Sequence, residues 1–81
     1  KAEKGILAYP NPTQGILSLM GKAVGRQAAL FDIKGKRVKE YRLDVNAFQQ
    51  QISLAGLPSG IYFLVIQGAE DRQELKLIKT D

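Results

Sequence analysis

Turn signals recur along this chain at short, even intervals, and that spacing leaves no window for a helical stripe longer than about two turns. The punctuation falls at Pro10-Asn11-Pro12-Thr13-Gln14-Gly15, Gly21 to Gly25, Lys34-Gly35-Lys36, Asp44-Val45-Asn46, Ala55 to Gly60, and Gly68-Ala69-Glu70-Asp71. Between these clusters lie seven short segments rich in apolar residues: 6–9, 16–20, 28–33, 37–43, 51–54, 61–67 and 74–79. Short strands separated by turns about every 8–12 residues predict an all-β fold, a sandwich or a barrel. The best helical candidate is Asn46-Ala47-Phe48-Gln49-Gln50.

Alternation supports the strands. Leu17 and Leu19 share one parity, and Tyr62, Leu64 and Ile66 share another. Arg37 to Leu43 mixes charged and apolar residues, as an edge or half-exposed strand does. The run Ile61-Tyr62-Phe63-Leu64-Val65-Ile66 is apolar on both parities, which predicts a central strand covered on both faces or leaning into an interface. With 81 residues, 44% of them hydrophobic, the chain makes one small domain with a thin core.

Two turns follow from local chemistry. Pro10 and Pro12 fix φ and remove two amide donors, so the first strand ends there or runs along an edge. In Asp32-Ile33-Lys34-Gly35-Lys36, an Asp able to bond its own downstream amides precedes a Gly able to take positive φ. That combination predicts a hairpin between strands three and four.

The residues present exclude much chemistry. There is no histidine and no cysteine, so neither a Ser-His-Asp nor a Cys-His arrangement is available, and neither a disulfide nor a thiolate metal site. Ser18, Ser53 and Ser59 have no base near them in sequence, and Glu70-Asp71 suits a solvated loop tip better than a calcium site. Gly21 to Gly25 lacks the pattern of a phosphate-binding loop. The chain is therefore expected to be no enzyme and to take no cofactor. Six apolar residues in a row do not span a bilayer, which needs about 20. Twelve Lys and Arg against eight Asp and Glu give +4, with the only basic cluster at Lys34, Lys36, Arg37, Lys39 and Arg42. No cation there alternates with stacking aromatics, so nucleic acid is not the expected partner; a solvated strand face is expected, with an anionic surface or partner as the lesser alternative.

Three stretches taken together resemble a known family. They are Tyr9-Pro10-Asn11-Pro12-Thr13-Gln14-Gly15, Leu30-Phe31-Asp32-Ile33-Lys34-Gly35-Lys36-Arg37-Val38, and Leu57-Pro58-Ser59-Gly60-Ile61-Tyr62-Phe63-Leu64 followed by Leu75-Lys76-Leu77-Ile78-Lys79. Their order and spacing resemble the type A C-terminal sorting domain of type IX secretion, the Por secretion system. The resemblance runs over nearly the whole chain. It implies a seven-stranded antiparallel Ig-like β-sandwich at the end of an exported cargo protein, so that residues 1–81 form a single C-terminal sorting domain cut from a larger chain. It further implies passage through the periplasm and the outer-membrane translocon. In most members a cell-surface sortase then removes the domain and joins the cargo to anionic lipopolysaccharide, leaving it at the cell surface or secreted, while a few members keep theirs. The implied partners are translocon or shuttle proteins and the sortase, with cleavage at or before Lys1.

Carried over by position, the family's Pro-Asn-Pro-x-x-Gly element falls on Pro10, Asn11, Pro12 and Gly15, and its Gly-x-Tyr element on Gly60 and Tyr62. Its terminal basic-apolar element falls on Lys76, Leu77, Ile78 and Lys79, and Asp32 and Gly35 form the hairpin turn. Two departures stand out: Ala28 and Ala29 replace bulkier residues and are expected to thin the core, and Thr80-Asp81 extend past the basic finish. Fold requirements account for most of these motifs, with Gly15, Gly35 and Gly60 expected to serve backbone conformation and Tyr62 to be a core aromatic with its hydroxyl at the rim. Lys76 and Lys79 are expected to be exposed on the last strand, available to a partner by strand addition. An adhesion or glycan-binding module is the alternative function, and a homodimer through edge strands a further possibility.

Overall fold

The turn clusters do separate strands. The computed structural model describes residues 5–81, in which seven strands form two antiparallel sheets and no helix. The strands are β1 (Leu7–Tyr9), β2 (Ile16–Met20), β3 (Gln27–Asp32), β4 (Arg37–Arg42), β5 (Gln49–Ser53), β6 (Gly60–Gln67) and β7 (Arg72–Lys79). One sheet has the order β1-β2-β5 and the other β4-β3-β6-β7. The chain crosses between sheets at β2–β3, β4–β5 and β5–β6, as in an Ig-like sandwich.

Period-two alternation sorts the side chains. Leu17 and Leu19 of β2, Ile52 of β5, Leu30 of β3, Tyr62, Leu64 and Ile66 of β6, and Leu77 of β7 form the buried layer between the sheets. Residues of the other parity on β6, namely Ile61, Phe63 and Val65, are only half-buried, with no further layer of the described chain over them. The doubly apolar β6 is thus central in its sheet and covered on one face. Ala28 lies in the core while Ala29 points outward, so the expected thinning concerns Ala28 alone.

The β3–β4 hairpin forms as its turn chemistry predicts. The Asp32 carboxylate accepts from the amides of Lys34 and Lys36, both at 2.9 Å, and Gly35 takes φ +86°. Asn46 to Gln50 is not helical. The Asp44 carboxylate accepts from the Asn46 amide at 2.9 Å, turning the chain, and Gln49 already pairs with Met20 in β5. Local side-chain bonding at Asp44 offers the backbone an alternative to the helix, and cross-strand pairing completes the override.

Gly15 also departs from expectation. It has no positive φ, and a Cβ built there would meet open space, so neither conformation nor crowding demands glycine. The crowded positions are Gly25 and Gly68, where the β2–β3 and β6–β7 loops touch backbone to backbone.

Candidate functional site

The two ends of the described chain meet along β7, and the Pro10–Thr13 segment makes the junction. β1 stops at Tyr9 because Pro10 cannot donate to a ladder, and the Tyr9–Pro10 and Asn11–Pro12 bonds are both cis. The chain then leaves the three-stranded sheet and lies against the free edge of β7 in the other. Thr13 forms a parallel bridge with Lys79; its amide donates to the Ile78 carbonyl at 2.8 Å, and its carbonyl accepts from the Thr80 amide at 2.8 Å.

Asn11 continues this contact with its side chain. Its Nδ2 donates to the Lys76 carbonyl and its Oδ1 accepts from the Ile78 amide, each at 2.9 Å. One carboxamide therefore imitates one residue of a neighbouring strand. Pro12 sits between these contacts, exposed, with no amide to satisfy. Asn11→Ala is expected to remove both bonds and lower stability by about 1–2 kcal/mol, a melting-temperature drop of roughly 5–15 °C in a thermal melt.

Alternation shows what remains open on β7. Ile78 and Lys76 turn backbone groups away from β6, so Arg72 and Glu74 do so as well. The edge is thus closed from the Lys76 carbonyl to Thr80 and open from Arg72 to the Lys76 amide, among the described residues. Lys76 is exposed beside an outward apolar band of Ile61, Phe63, Val65 and Ile78, and Arg72 pairs with Glu74 at 3.2 Å.

Lys79 corrects the sequence-based expectation. It is 7% exposed, not a solvent-facing cation, because it shares a parity with Leu75 and Leu77 and so faces the core. The long apolar stem of a lysine permits such burial beside the Thr13 bridge. Leu77 is fully buried and Ile78 half-buried, so of the four terminal residues only Lys76 offers its whole side chain.

The remaining motif residues serve the scaffold. The Tyr62 ring is buried and its hydroxyl donates to the Pro58 carbonyl at 2.6 Å, the tyrosine corner typical of Ig-like sandwiches. Gly60 takes φ +155° where the chain enters β6. Asp32 and Gly35 stand in the hairpin turn, away from β7. Sequence reasoning missed a second rim contact, in which Tyr41 Oη donates to the Ser53 carbonyl at 2.7 Å and Lys39 Nζ donates to the same oxygen at 3.1 Å. The aromatic-plus-cation spacing of Lys39 and Tyr41 on one parity was its only signal.

Burial pushes the Tyr41 pKa from 10.0 up to about 12. The folded state holds this proton more tightly than the unfolded chain, so the stabilisation is complete below pH 10 and is lost as pH rises towards 12. Thermal melts should therefore decline between these values, and decline less steeply in Tyr41→Phe. Equal slopes for the two proteins would contradict the assignment.

A seven-stranded sandwich with a tyrosine corner and a terminal strand half-covered by its own first turn defines an Ig-like domain with an exposed edge. Residues 7–80 match the family model of the secretion system C-terminal sorting domain, Por_Secre_tail. The chain belongs to this family, the C-terminal sorting domains of type IX secretion, and acts as a sorting signal for export by that system. The family is not known for enzymatic activity. Comparison with curated proteins and with solved structures returns no match.

Proposed function

We propose that residues 1–81 form the single C-terminal domain of a larger exported protein and deliver it by docking, without chemistry of their own. The observation that supports this most is the half-open β7 edge, with exposed Lys76 and the Ile61-Phe63-Val65-Ile78 band beside it. A strand edge next to an apolar face is what a β-rich translocon or shuttle protein engages by strand addition. Pro10, Asn11, Pro12 and Thr13 set how much of that edge is offered, while Gly60 and Tyr62 hold β6 in place beneath it. After passage through the periplasm and the outer membrane, a surface sortase removes the domain and joins the cargo to anionic lipopolysaccharide. The cleavage site, at or before Lys1, lies outside the described residues.

The test is a reporter placed between a signal peptide and these 81 residues in a type IX-competent host. Export of the reporter to the surface or medium is expected. Periplasmic retention of a folded fusion would defeat the proposal. Deleting residues 75–81 should abolish export, since it removes Leu77 from the core together with the docking edge.

A further inference from the structure

The sandwich has four strand edges, and its own groups shorten one and cap parts of two others. β1 has three residues and ends at Pro10. On β5 only the Ser53 carbonyl is taken, by Lys39 and Tyr41, while Gln49 and Gln51 turn outward on an uncharged strand. β7 is covered from Lys76 to Thr80 by Asn11 and Thr13. The fourth edge, β4, is different. The Leu43 amide donates to the Arg26 carbonyl at 2.7 Å, so Leu43, Tyr41 and Lys39 point their backbone groups at β3. Glu40 and Arg42 then turn theirs outward, and among the described residues nothing pairs with them. Only at Asp44 does the edge close, where the Gln50 carboxamide bonds both the amide and the carbonyl, at 2.9 and 3.0 Å.

Charge separates β4 from the open half of β7. Residues 34–42 hold five cations, Lys34, Lys36, Arg37, Lys39 and Arg42, against Glu40 alone. Of the twelve cations and eight carboxylates in the chain, this leaves seven of each elsewhere, so residues 34–42 carry a formal +4 equal to that of the whole chain. Along the open part of β7, Glu74 offsets Arg72. Beside β4 the outer face sinks at Ala29, whose small side chain opens a shallow basin of about 490 Å³. Ala29, Phe31 and Val65 floor the basin, and Arg37 and Arg42 stand at its β4 side. Glu40 engages Arg37 at 2.8 Å in an exposed pair of little energetic weight, while Arg42 has no ion-pair partner among the described residues.

We propose that the β4 edge is a second docking site, which takes an extended acidic segment of a partner protein as a fifth strand of the larger sheet. Backbone pairing to Glu40 and Arg42 supplies the register. Carboxylates of the outward parity meet Arg37 and Arg42 on the outer face. This site does not depend on the sorting function or on β7.

The test is a titration of the isotope-labelled 81-residue chain with a ten-residue peptide alternating Thr and Glu, followed by amide shifts and hydrogen exchange. Exchange at Glu40 and Arg42 should slow about tenfold at saturation, as for newly paired edge amides, with Glu74 and Lys76 unaffected. Raising salt from about 50 to about 300 mM should weaken binding several-fold, and a Thr–Lys peptide should not bind. Glu40→Pro removes an outward amide that β3 does not use, and should abolish binding while the β3, β6 and β7 resonances stay in place. Should that variant disturb the ladder, Arg42→Glu gives the same reading through at least fivefold weaker binding. The proposal is overturned by binding that survives Glu40→Pro in a folded protein, by protection at residues 72–76 instead, or by no binding of the Thr–Glu peptide. Association with anionic lipid vesicles that leaves the exchange of Glu40 and Arg42 unchanged, without binding of that peptide, would reassign the patch to an anionic surface and equally overturn it.

Discussion

Lys79→Glu is expected to unfold much of the domain, and Lys76→Glu to leave it intact while blocking export. The two lysines lie three residues apart on one strand, so they face opposite sides of the sheet. At Lys79 a long stem is replaced by a shorter side chain whose carboxylate sits against Leu77 and the Thr13 bridge. The cost of placing that charge in a mostly buried position is about 2–4 kcal/mol, a large part of the ~4–12 kcal/mol available to a domain this size. At Lys76 the side chain is exposed, and its replacement should move stability by no more than about 0.5 kcal/mol. Melting temperature and reporter export, measured on both variants, separate folding from docking. Normal export of Lys76→Glu would remove Lys76 from the docking surface. A Lys79→Glu protein that melts with the wild type would show that the carboxylate escapes to solvent.

The second large effect is expected at a loop that no motif marks. A Cβ on Gly25 would overlap the carbonyl oxygen of Gln67, and the obstacle is backbone that has no rotamer to adopt. Gly25→Ala should therefore push the β2–β3 and β6–β7 loops apart and cost about 3 kcal/mol or more. Gly15→Ala, at the family's own glycine, should be neutral or stabilising by up to about 1 kcal/mol, because open space surrounds its Cβ and its φ is ordinary. Denaturant melts of the two variants check the pair. A Gly15→Ala protein less stable than Gly25→Ala would reverse the assignment of which glycine the fold needs.

Local chemistry was legible in the sequence, and long-range pairing was not. The strand pattern, the Asp32–Gly35 hairpin and the end of β1 at Pro10 each rest on a few consecutive residues, and each was found where the residues placed it. The helical candidate at Asn46 failed because Asp44 bonds the turn locally and β2 claims Gln49 from across the sheet. The burial of Lys79 was within reach, since its parity with Leu75 and Leu77 already placed it on the inner face; the family's basic finish drew attention to charge instead. Asn11 is another matter. Its partners lie 65 and 67 residues away, and no local pattern says that a turn amide will stand in for a strand. Likewise Gly25 is constrained by Gln67 and Gly68 from a distant loop, and the open edge of β4 shows only once the sheet order is known.

The fastening of Asn11 and Thr13 onto β7 makes the earliest turn of the domain and its closing strand mutually dependent. A protease that cuts within β7 before Lys76 leaves that turn with nothing to clasp and the strand unfinished. Damage at either end of this clasp would thus loosen the other, so the same few hydrogen bonds tie the integrity of the signal to two distant stretches of sequence at once.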